Sequence, residues 1–317
     1  MMAMDAELFV ERRRLRRRVV FWRVASIVLF IAALLSLAGA MGGIDEFDHK
    51  TDHIARVRIT GLITGDQDTL DLLDKIAKAS AVKGLIIRID SPGGTTAGSE
   101  AIYEKIREIA KAKPVVAAMD TVAASGGYIT ALAADHIVAR GNTITGSIGV
   151  IFQWAEFSKL LDTLGVKMEE IKSGELKAEP SPFKPLSPQV RAVADLMIQD
   201  SFAWFMGLVA ERRNLPMDRV RILSDGRVYT GRQALTEKLI DEVGGEDKAV
   251  DWLKTGRKLD GALKVVDWEV SDSSGASRLG FRLASGALSA LGLSALAEEA
   301  SIRKLDGLVA VWHPSIQ

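Results

Sequence analysis

The sequence predicts an α/β fold in which a parallel sheet is flanked by helices, and this prediction depends on two apolar runs and the segment between them. Residues 84–90 (GLIIRID) are apolar and end in a turn, which is typical of a strand buried in a parallel sheet. Residues 114–119 (PVVAAM) have the same character. Between them, residues 100–112 place isoleucines three or four positions apart, as one face of a helix requires. The order strand, helix, strand indicates a parallel sheet with helices on its faces.

Similar patterns predict the other elements up to residue 245. We expect strands at 54–59, 136–139 and 148–152, helices at 69–81, 126–134 and 188–213, and a turn, short helix and closing strand within 226–245. A polar, proline-rich loop is expected at 173–188. In sheets of this kind the functional residues follow the carboxyl ends of the strands, so the turns there are the expected location of a site.

The composition excludes several classes of protein. The 317 residues include no cysteine, which rules out disulfides, thiol nucleophiles and cysteine-ligated metals. The four histidines are scattered without metal-ligand spacing, so neither a metal site nor a cofactor is expected. The net charge is zero, but residues 1–23 carry seven arginines against three carboxylates, which leaves the remainder mildly acidic. An acidic body argues against a nucleic-acid partner.

The N-terminal segment has the features of a membrane anchor. After an arginine-rich block, residues 24–44 form a stretch of 21 residues without a charge, and a spanning helix needs about 20. Because positive residues stay on the cytoplasmic side, we expect a single-pass protein of the cell inner membrane, with a cytoplasmic N-terminus and its bulk on the extracytoplasmic, periplasmic side. Two alternatives remain open: a signal peptide cleaved near residues 38–40 (AGA), and a buried core helix, which the adjoining arginines disfavour.

These features divide the chain into five parts. They are a basic cytoplasmic segment (1–23), a transmembrane signal anchor (24–44), a polar stalk (45–53), an α/β domain (54–255) and a C-terminal extension (256–317). Within the extension, residues 278–300 are rich in leucine, alanine and glycine. We expect them to form a helix that packs on the domain, takes part in assembly or lies on the membrane surface.

Two turns after consecutive strands contain the residue types of an acyl-transfer site. Ser125 lies between small residues and two glycines, so a tight strand-to-helix turn can expose its hydroxyl. The segment 91–94 (SPGG) can direct backbone N–H groups towards developing negative charge. Either motif alone is explained equally well as a plain turn. Because the turns follow neighbouring strands, we expect them side by side, which brings a serine next to an oxyanion-binding loop.

A serine nucleophile needs a base, and the histidines are poorly placed to supply it. His136 begins an apolar run and is interpreted as a structural residue at the start of a strand, while the others lie in the stalk or near residue 317. A neutral lysine can accept the serine proton if burial lowers its pKa. Lys172, Lys177 and Lys184 flank or lie in the proline-rich loop, and the residues alone do not decide between them.

Five short motifs resemble the short form of signal peptide peptidase A, in the ClpP/crotonase superfamily. They occur in the same order and spacing and are DSPGG (90–94), ASGGY (124–128), TGSIGV (145–150), IKSGELK (171–177) and DGRVYTGRQAL (225–235). Each is short, but the set is specific and covers most of residues 54–250. The resemblance implies a ClpP/crotonase-like fold with stacked parallel sheet units, and the N-terminal anchor also fits this family.

The resemblance also implies roles for individual residues. Ser125 would be the nucleophile, Lys177 the general base, Ser147 the residue that orients the lysine amine, and the amides of Gly94 and Gly126 the oxyanion hole. The chain would be a membrane-anchored serine endopeptidase that degrades short apolar peptides, such as cleaved signal peptides. Because it contains one such unit, it would form a homo-oligomeric ring, expected to have eight subunits, in which the lysine loop reaches a neighbour's serine.

Two other functions share this fold. A crotonase-type acyl-CoA enzyme would use the same oxyanion turns but would lack the anchor and the serine–lysine pair. A catalytically inactive membrane scaffold would keep the fold, and the presence of both Ser125 and Lys177 argues against it. The chain departs from the family pattern at Leu176, where an aromatic residue is common, and in residues 256–300, which match loosely.

Overall fold

The computed structural model describes residues 21–23, 26, 49–270 and the backbone of 309–311. The chain divides into two compact units, Met1–Asp52 and His53–Gln317, and all the strands belong to the second. Apart from residue 26, the expected anchor at 24–44 lies outside the described residues, and so does the expected helix at 278–300.

Nine strands form one sheet in the described part of the second unit. They are β1 (His53–Ile63), β2 (Val82–Thr95), β3 (Val115–Ala124), β4 (His136–Ala139), β5 (Ile144–Gly146), β6 (Val228–Thr230), β7 (Glu242–Val243), β8 (Lys264–Asp267) and β9 (Val309–Val311). The main order is β6-β5-β3-β2-β1-β8, with β4 pairing β3 and β7, and β9 pairing β2. All pairs are parallel except β5 with β6 and β2 with β9.

Helices flank this sheet, which confirms the expected α/β class. They are α1 (Gln67–Lys78), α2 (Thr96–Ala110), α3 (Gly126–Leu132), α4 (Ser158–Thr163), α5 (Pro188–Arg213), α6 (Met217–Leu223), α7 (Gly231–Thr236) and α8 (Glu246–Asp251), which continues into a π-helical turn, Trp252–Gly256. Helix α5 has the bounds expected from the sequence. Ser187 caps its start by accepting the N–H of Val190 at 3.2 Å, and a left-handed Asn214 ends it.

The structure corrects the expected strand at 148–152. The strand lies earlier, at β5, and residues 148–152 contain a single bridge position, Ile151. The reason is that Gly146 and Ser147 both have positive φ, 82° and 49°, which turns the chain out of the sheet after β5. The apolar run at 148–152 resembles a strand in composition, but this left-handed pair precedes it.

The borders of the domain also differ in detail from the expected ones. His53, assigned to the stalk, begins β1 and is fully buried, and its Nε2 accepts a hydrogen bond from Trp268 Nε1 at 3.0 Å. Strands β8 and β9, from the expected extension, pair with β1 and β2. Parts of the extension are therefore integral to the sheet.

Strand β3 changes its neighbour midway, and this change directs its end towards the candidate site. Residues 116–119 pair with β4, whereas residues 122–124 pair with β5. Between these two pairings, side chains bind the backbone of β3. The Asp90 carboxylate accepts a hydrogen bond from the Val122 N–H at 3.0 Å, and the Thr143 hydroxyl donates one to the Asp120 carbonyl at 2.6 Å. The end of β3 is thereby held between β2 and β5.

Alternate side chains of the central strands supply two apolar clusters on opposite faces of the sheet. Leu85, Ile87 and Ile89 belong to the larger cluster, which includes residues of α1, α2, α3 and α5. Ile86 belongs to the smaller one, with Leu253 of the π-helical turn. Since both faces are covered, residues 85–89 are apolar apart from Arg88, which forms an ion pair with Asp120.

Helix α5 is the one described helix that is long and apolar enough to cross a membrane, a test that core helices of soluble proteins also pass. Its two halves differ in burial. Phe205 and Val209 in the second half are fully buried in the larger cluster, whereas Val193 and Leu196 in the first half are exposed. The second half is therefore part of the domain core.

Replacing a large side chain by alanine should destabilise the protein in the second half of α5 but not in the first. We expect Phe205→Ala to lower the free energy of unfolding by about 3–5 kcal/mol, because it removes a buried ring and leaves a cavity. Leu196→Ala, the matched control in the exposed half, should change it by less than about 0.5 kcal/mol. Denaturant unfolding of both variants measures the difference, and equal effects would contradict the packing of α5.

Candidate active site

Ser125 lies at the junction of β3 and α3 in an unusual backbone conformation. Its φ and ψ are 54° and −114°, a combination that residues with a side chain rarely adopt. The Ser125 N–H donates to the Gly146 carbonyl of β5 at 2.8 Å, and its own carbonyl accepts the Ile129 N–H of α3 at 2.9 Å. The serine is 1% exposed. A strained turn from strand to helix is the setting in which several hydrolases hold a nucleophilic serine.

Ser147 lies next to Ser125 across the sheet. Ala124 of β3 is the register partner of Gly146 in β5, and the two serines follow these partners directly. Ser147 is 9% exposed, has a φ of 49°, and its N–H donates to the Arg227 carbonyl at 2.8 Å. Two left-handed serines thus lie side by side at the carboxyl ends of adjacent parallel strands.

Residues 91–94, expected as a turn after the strand, are instead the irregular end of β2, where the pairing shifts register and Gly93 has a φ of 118°. This bent segment, called the glycine turn below, closes the other side of Ser125. Ser91 is the register partner of Ala123, so the 91–94 turn and the end of β3 are neighbours, which confirms the expected juxtaposition. Helix α3 approaches this turn closely, since a Cβ on Gly127 would lie 2.7 Å from the Ser91 carbonyl oxygen. Gly94 packs on β1 so tightly that a Cβ would lie 1.8 Å from the Ile63 carbonyl oxygen. Gly126, the first residue of α3, is buried.

An extended segment pairs with the glycine turn. Strand β9 runs antiparallel to residues 93–95, with Gly93 opposite Val311 and Gly94 opposite Ala310. The backbone beside the candidate oxyanion hole therefore accepts a second chain segment in β conformation. Proteins that recognise extended peptides by strand addition use an edge of this kind.

Two of the three candidate lysines are engaged by carboxylates. The Lys172 amine lies 2.7 Å from Glu170 Oε2 and 2.8 Å from Glu179 Oε1, and Lys184 also binds Glu179. Hydrogen bonds to Glu170 and Glu179 raise the pKa of Lys172. In turn, the hydrogen bonds that Glu179 accepts from Lys172 and Lys184 lower the pKa of Glu179 to about 2. A lysine whose charged form is stabilised stays protonated near neutral pH and cannot accept a proton, which disfavours Lys172 as the base. The Lys184 amine is occupied by its ion pair with Glu179.

Lys177 differs from these two lysines. It lies in an exposed turn, where its N–H donates to the Gly174 carbonyl at 3.1 Å. Its amine forms neither an ion pair nor a hydrogen bond with any residue in the described part of the chain, Ser125 included. The structure thus brings Ser125, Ser147 and the glycine turn together, and leaves Lys177 on the surface of the single chain.

His136 is placed as a structural residue would be. It begins β4, and its ring stacks on Trp252 with 4.9 Å between centroids. It forms no hydrogen bond with Ser125 among the described residues.

Sequence reasoning missed two features near the site. The first is the hydroxyl of Ser91 in the SPGG motif, for which only the proline and glycines were considered. This hydroxyl accepts a hydrogen bond from the Gly93 N–H, as a serine can do two residues before the donor. The Glu170, Lys172, Glu179 and Lys184 cluster was also missed, although the mixed charges of that loop are visible in the sequence.

Comparison with known proteins decides the family. The model of peptidase family S49 matches residues 107–260, a range that includes Ser125, Ser147 and Lys177. A protein of Synechocystis sp. described as a candidate protease is 38% identical over 208 residues, which are 65% of this chain and 75% of that protein. The chain belongs to peptidase family S49.

Other members of the family support this assignment. A candidate signal peptide peptidase of Enterococcus faecium is 37% identical over 221 residues, 69% of this chain and 64% of that protein. A chloroplastic serine protease of Arabidopsis thaliana is 35% identical over 212 residues, 66% of this chain and 31% of that protein. The S49 protein described here is therefore a serine peptidase, and the resemblance found in the sequence is confirmed.

The close packing of Gly94 gives a test of the glycine turn. In Gly94→Ala the added carbon would collide with the Ile63 backbone, so the turn must move, and we expect labelling by a fluorophosphonate serine probe to fall by about 100-fold. Gly207→Ala in helix α5 is the control, because nothing lies within 4 Å of its added carbon. Equal labelling of the two variants would show that the turn does not need glycine at 94.

The ion pairs of Glu179 should make the stability of its loop depend on pH. Because the folded pKa of Glu179 lies below its usual range, its stabilising contribution is complete above about pH 4.5 and is lost as the pH falls towards 2. Glu179→Gln should therefore speed proteolysis of the loop between α4 and α5 at pH 7, and this difference from wild type should vanish near pH 2. A neutral protease at pH 7 and an acid-active protease near pH 2 measure the rates, each against wild type at the same pH, and the fragment pattern identifies the loop. A difference that persists at pH 2 would contradict the ion-pair explanation.

Proposed function

We propose that Ser125 is the nucleophile of this peptidase, that Lys177 is its general base, and that Ser147 orients the lysine amine. The amides of Gly94 and Gly126 form the oxyanion hole. The observation that carries this proposal is the left-handed conformation of Ser125, fixed by the bond from its N–H to Gly146 at 2.8 Å. Strained backbone in a buried polar residue is typical of functional positions.

The reaction follows from these roles. Ser125 Oγ attacks the peptide carbonyl while its proton passes to the neutral Lys177 amine, and the carbonyl oxygen becomes an oxyanion that the two amides bind. The lysine then protonates the leaving amine, which frees the first product and leaves an acyl-serine. A water then gives one proton to Lys177 and attacks the acyl carbon. The bond from that carbon to Ser125 Oγ breaks, the lysine returns its proton to Oγ, and the acid product leaves.

A second copy of the chain is needed to complete the site. A lysine acts as a base near neutral pH when burial lowers its pKa, and Lys177 is exposed in the single chain. Apolar side chains of the same part of the chain are also exposed, with Ile171 fully exposed and Leu164, Leu176 and Phe183 at 40% or more. Their burial against a neighbouring subunit would also desolvate Lys177. We propose a homo-oligomeric ring, with eight subunits expected, in which each lysine serves a neighbour's serine.

The proposed substrates are short apolar peptides, such as cleaved signal peptides. Support comes from the pairing of β9 with the glycine turn, which is the geometry that an extended peptide would adopt beside Ser125. One relative is described as a candidate signal peptide peptidase. The uncharged stretch at 24–44 would anchor the enzyme in the inner membrane, with its catalytic domain on the extracytoplasmic side where such peptides remain.

Removal of either dyad member should abolish peptide cleavage. We expect Ser125→Ala and Lys177→Ala each to lower kcat by about 10³-fold or more, with little change in thermal stability. Lys167→Ala, an exposed lysine at the start of the same loop, is the control and should keep wild-type activity. Cleavage of a fluorogenic apolar peptide measures this. A Ser125→Ala chain that cleaves at the wild-type rate would overturn the nucleophile assignment.

Mixing the inactive chains tests whether the dyad is shared. Ser125→Ala chains co-refolded with Lys177→Ala chains should regain part of the activity, because some interfaces then pair an intact serine with an intact lysine. Mass measurement of the intact oligomer verifies that both chains are present. Mixed oligomers without activity would place the dyad within one chain.

A further inference from the structure

Ser91 is a buried serine beside the proposed oxyanion hole, and it has no role in the mechanism above. Its side chain is inaccessible to solvent. Its hydroxyl oxygen lies 2.6 Å from the Gly61 carbonyl oxygen and 3.1 Å from the Gly93 nitrogen, with the Gly93 carbonyl oxygen at 3.3 Å. The hydroxyl has one hydrogen, so it donates mainly to Gly61 and accepts from the Gly93 N–H. It thus links the end of β1 to the glycine turn.

The glycine turn needs such a restraint. Gly93 has a φ of 118°, and glycine by itself has little preference for this conformation, so the segment is held by its pairing with β1 and β9 and by the Ser91 hydroxyl. The dihedral angles of Gly93 set the direction of the next peptide group, which carries the Gly94 N–H. A rotation there would turn that N–H away from the position of the oxyanion. The bond from Gly93 to the Ser91 hydroxyl opposes this rotation.

The backbone of Ser91 also touches the other half of the site. It is the register partner of Ala123, two residues before the nucleophile, and its carbonyl oxygen fits against Gly127, where a Cβ would lie only 2.7 Å away. One residue therefore contacts the strand that leads to Ser125, the helix that follows it and the glycine turn. Its position fixes the spacing between nucleophile and oxyanion hole.

We propose that Ser91 is a positioning residue whose hydroxyl holds the Gly93–Gly94 peptide so that the Gly94 N–H faces the oxyanion. This inference rests on the proposed function, because it requires Ser125 as nucleophile and Gly94 as a donor. Loss of the hydroxyl weakens stabilisation of the tetrahedral state more than it weakens substrate binding, because a bound peptide pairs with several residues of the turn and the oxyanion depends on the direction of the Gly94 N–H. Its effect therefore falls mainly on kcat and on acylation of Ser125, with a smaller change in KM.

The test compares two fully buried serines in the full-length chain. Ser99→Ala is the matched control, since the Ser99 hydroxyl donates to the carbonyl of Thr95, the N-cap residue of α2, at 3.0 Å and makes no bond to residues 91–94. The rate of phosphonylation by a fluorophosphonate probe is measured for both variants and wild type, because this reaction also forms negative charge at the oxyanion position. A fluorogenic apolar peptide gives kcat and KM separately, and thermal unfolding gives Tm.

We expect Ser91→Ala to slow phosphonylation and lower kcat by about 10- to 100-fold, with KM within about twofold of wild type. Ser99→Ala should react within about threefold of the wild-type rate. Ser91→Cys, which keeps a weak donor and acceptor, should fall between Ser91→Ala and wild type, and it replaces the alanine variant if that chain does not fold.

Two results would overturn the proposal: a Ser91 variant that reacts at the wild-type rate, and equal losses of rate and Tm in the Ser91 and Ser99 variants. Failure of the proposed function is recognised separately, because a Ser125→Ala chain would then still be labelled by the probe.

Discussion

The backbone of Ser125 is held in a conformation that costs about 1–3 kcal/mol for a residue with a Cβ, and the architecture around it provides the restraint. Strand β3 reaches this point after exchanging one neighbour for another, so its last residues pair with β5 instead of β4. The Gly146 carbonyl at the end of β5 then binds the Ser125 N–H, and α3 begins at the next residue. A serine placed this way can direct its hydroxyl away from both strand and helix.

The same constraint explains why small residues surround the site. Helix α3 starts so close to the glycine turn that Gly127 has no room for a side chain, and Gly94 has none beside β1. Ser147, one strand away, also has a positive φ of 49°. In contrast, the lysine of the proposed dyad lies in a loop that no strand restrains. Ser125, Ser147 and the glycine turn lie together in one chain, whereas the proposed dyad takes its lysine from a neighbour.

Much of this arrangement follows from local patterns in the sequence. Continuous apolar runs indicated the parallel strands, and the order of strands placed the Ser91 and Ser125 turns side by side. The strand at 148–152 was predicted wrongly, because a window of apolar residues carries no information about the left-handed pair before it. The hydrogen bond from the Ser91 hydroxyl to the Gly61 carbonyl could not be predicted from local patterns either, since it joins residues 30 positions apart. The residue types alone left Lys172, Lys177 and Lys184 open, because the ion pairs that engage Lys172 and Lys184 form only in the folded loop.

Comparison of Ser125→Gly with Ser125→Ala tests most directly whether the fold holds Ser125 under backbone strain. Both variants lack the hydroxyl, but glycine accepts positive φ and alanine does not. If the strain is present, Ser125→Gly should be more stable than Ser125→Ala by about 1 kcal/mol or more in denaturant unfolding, despite the flexibility glycine adds to the unfolded chain. Equal stabilities, or a more stable alanine variant, would show that Ser125 is not strained and would remove the main support for its role.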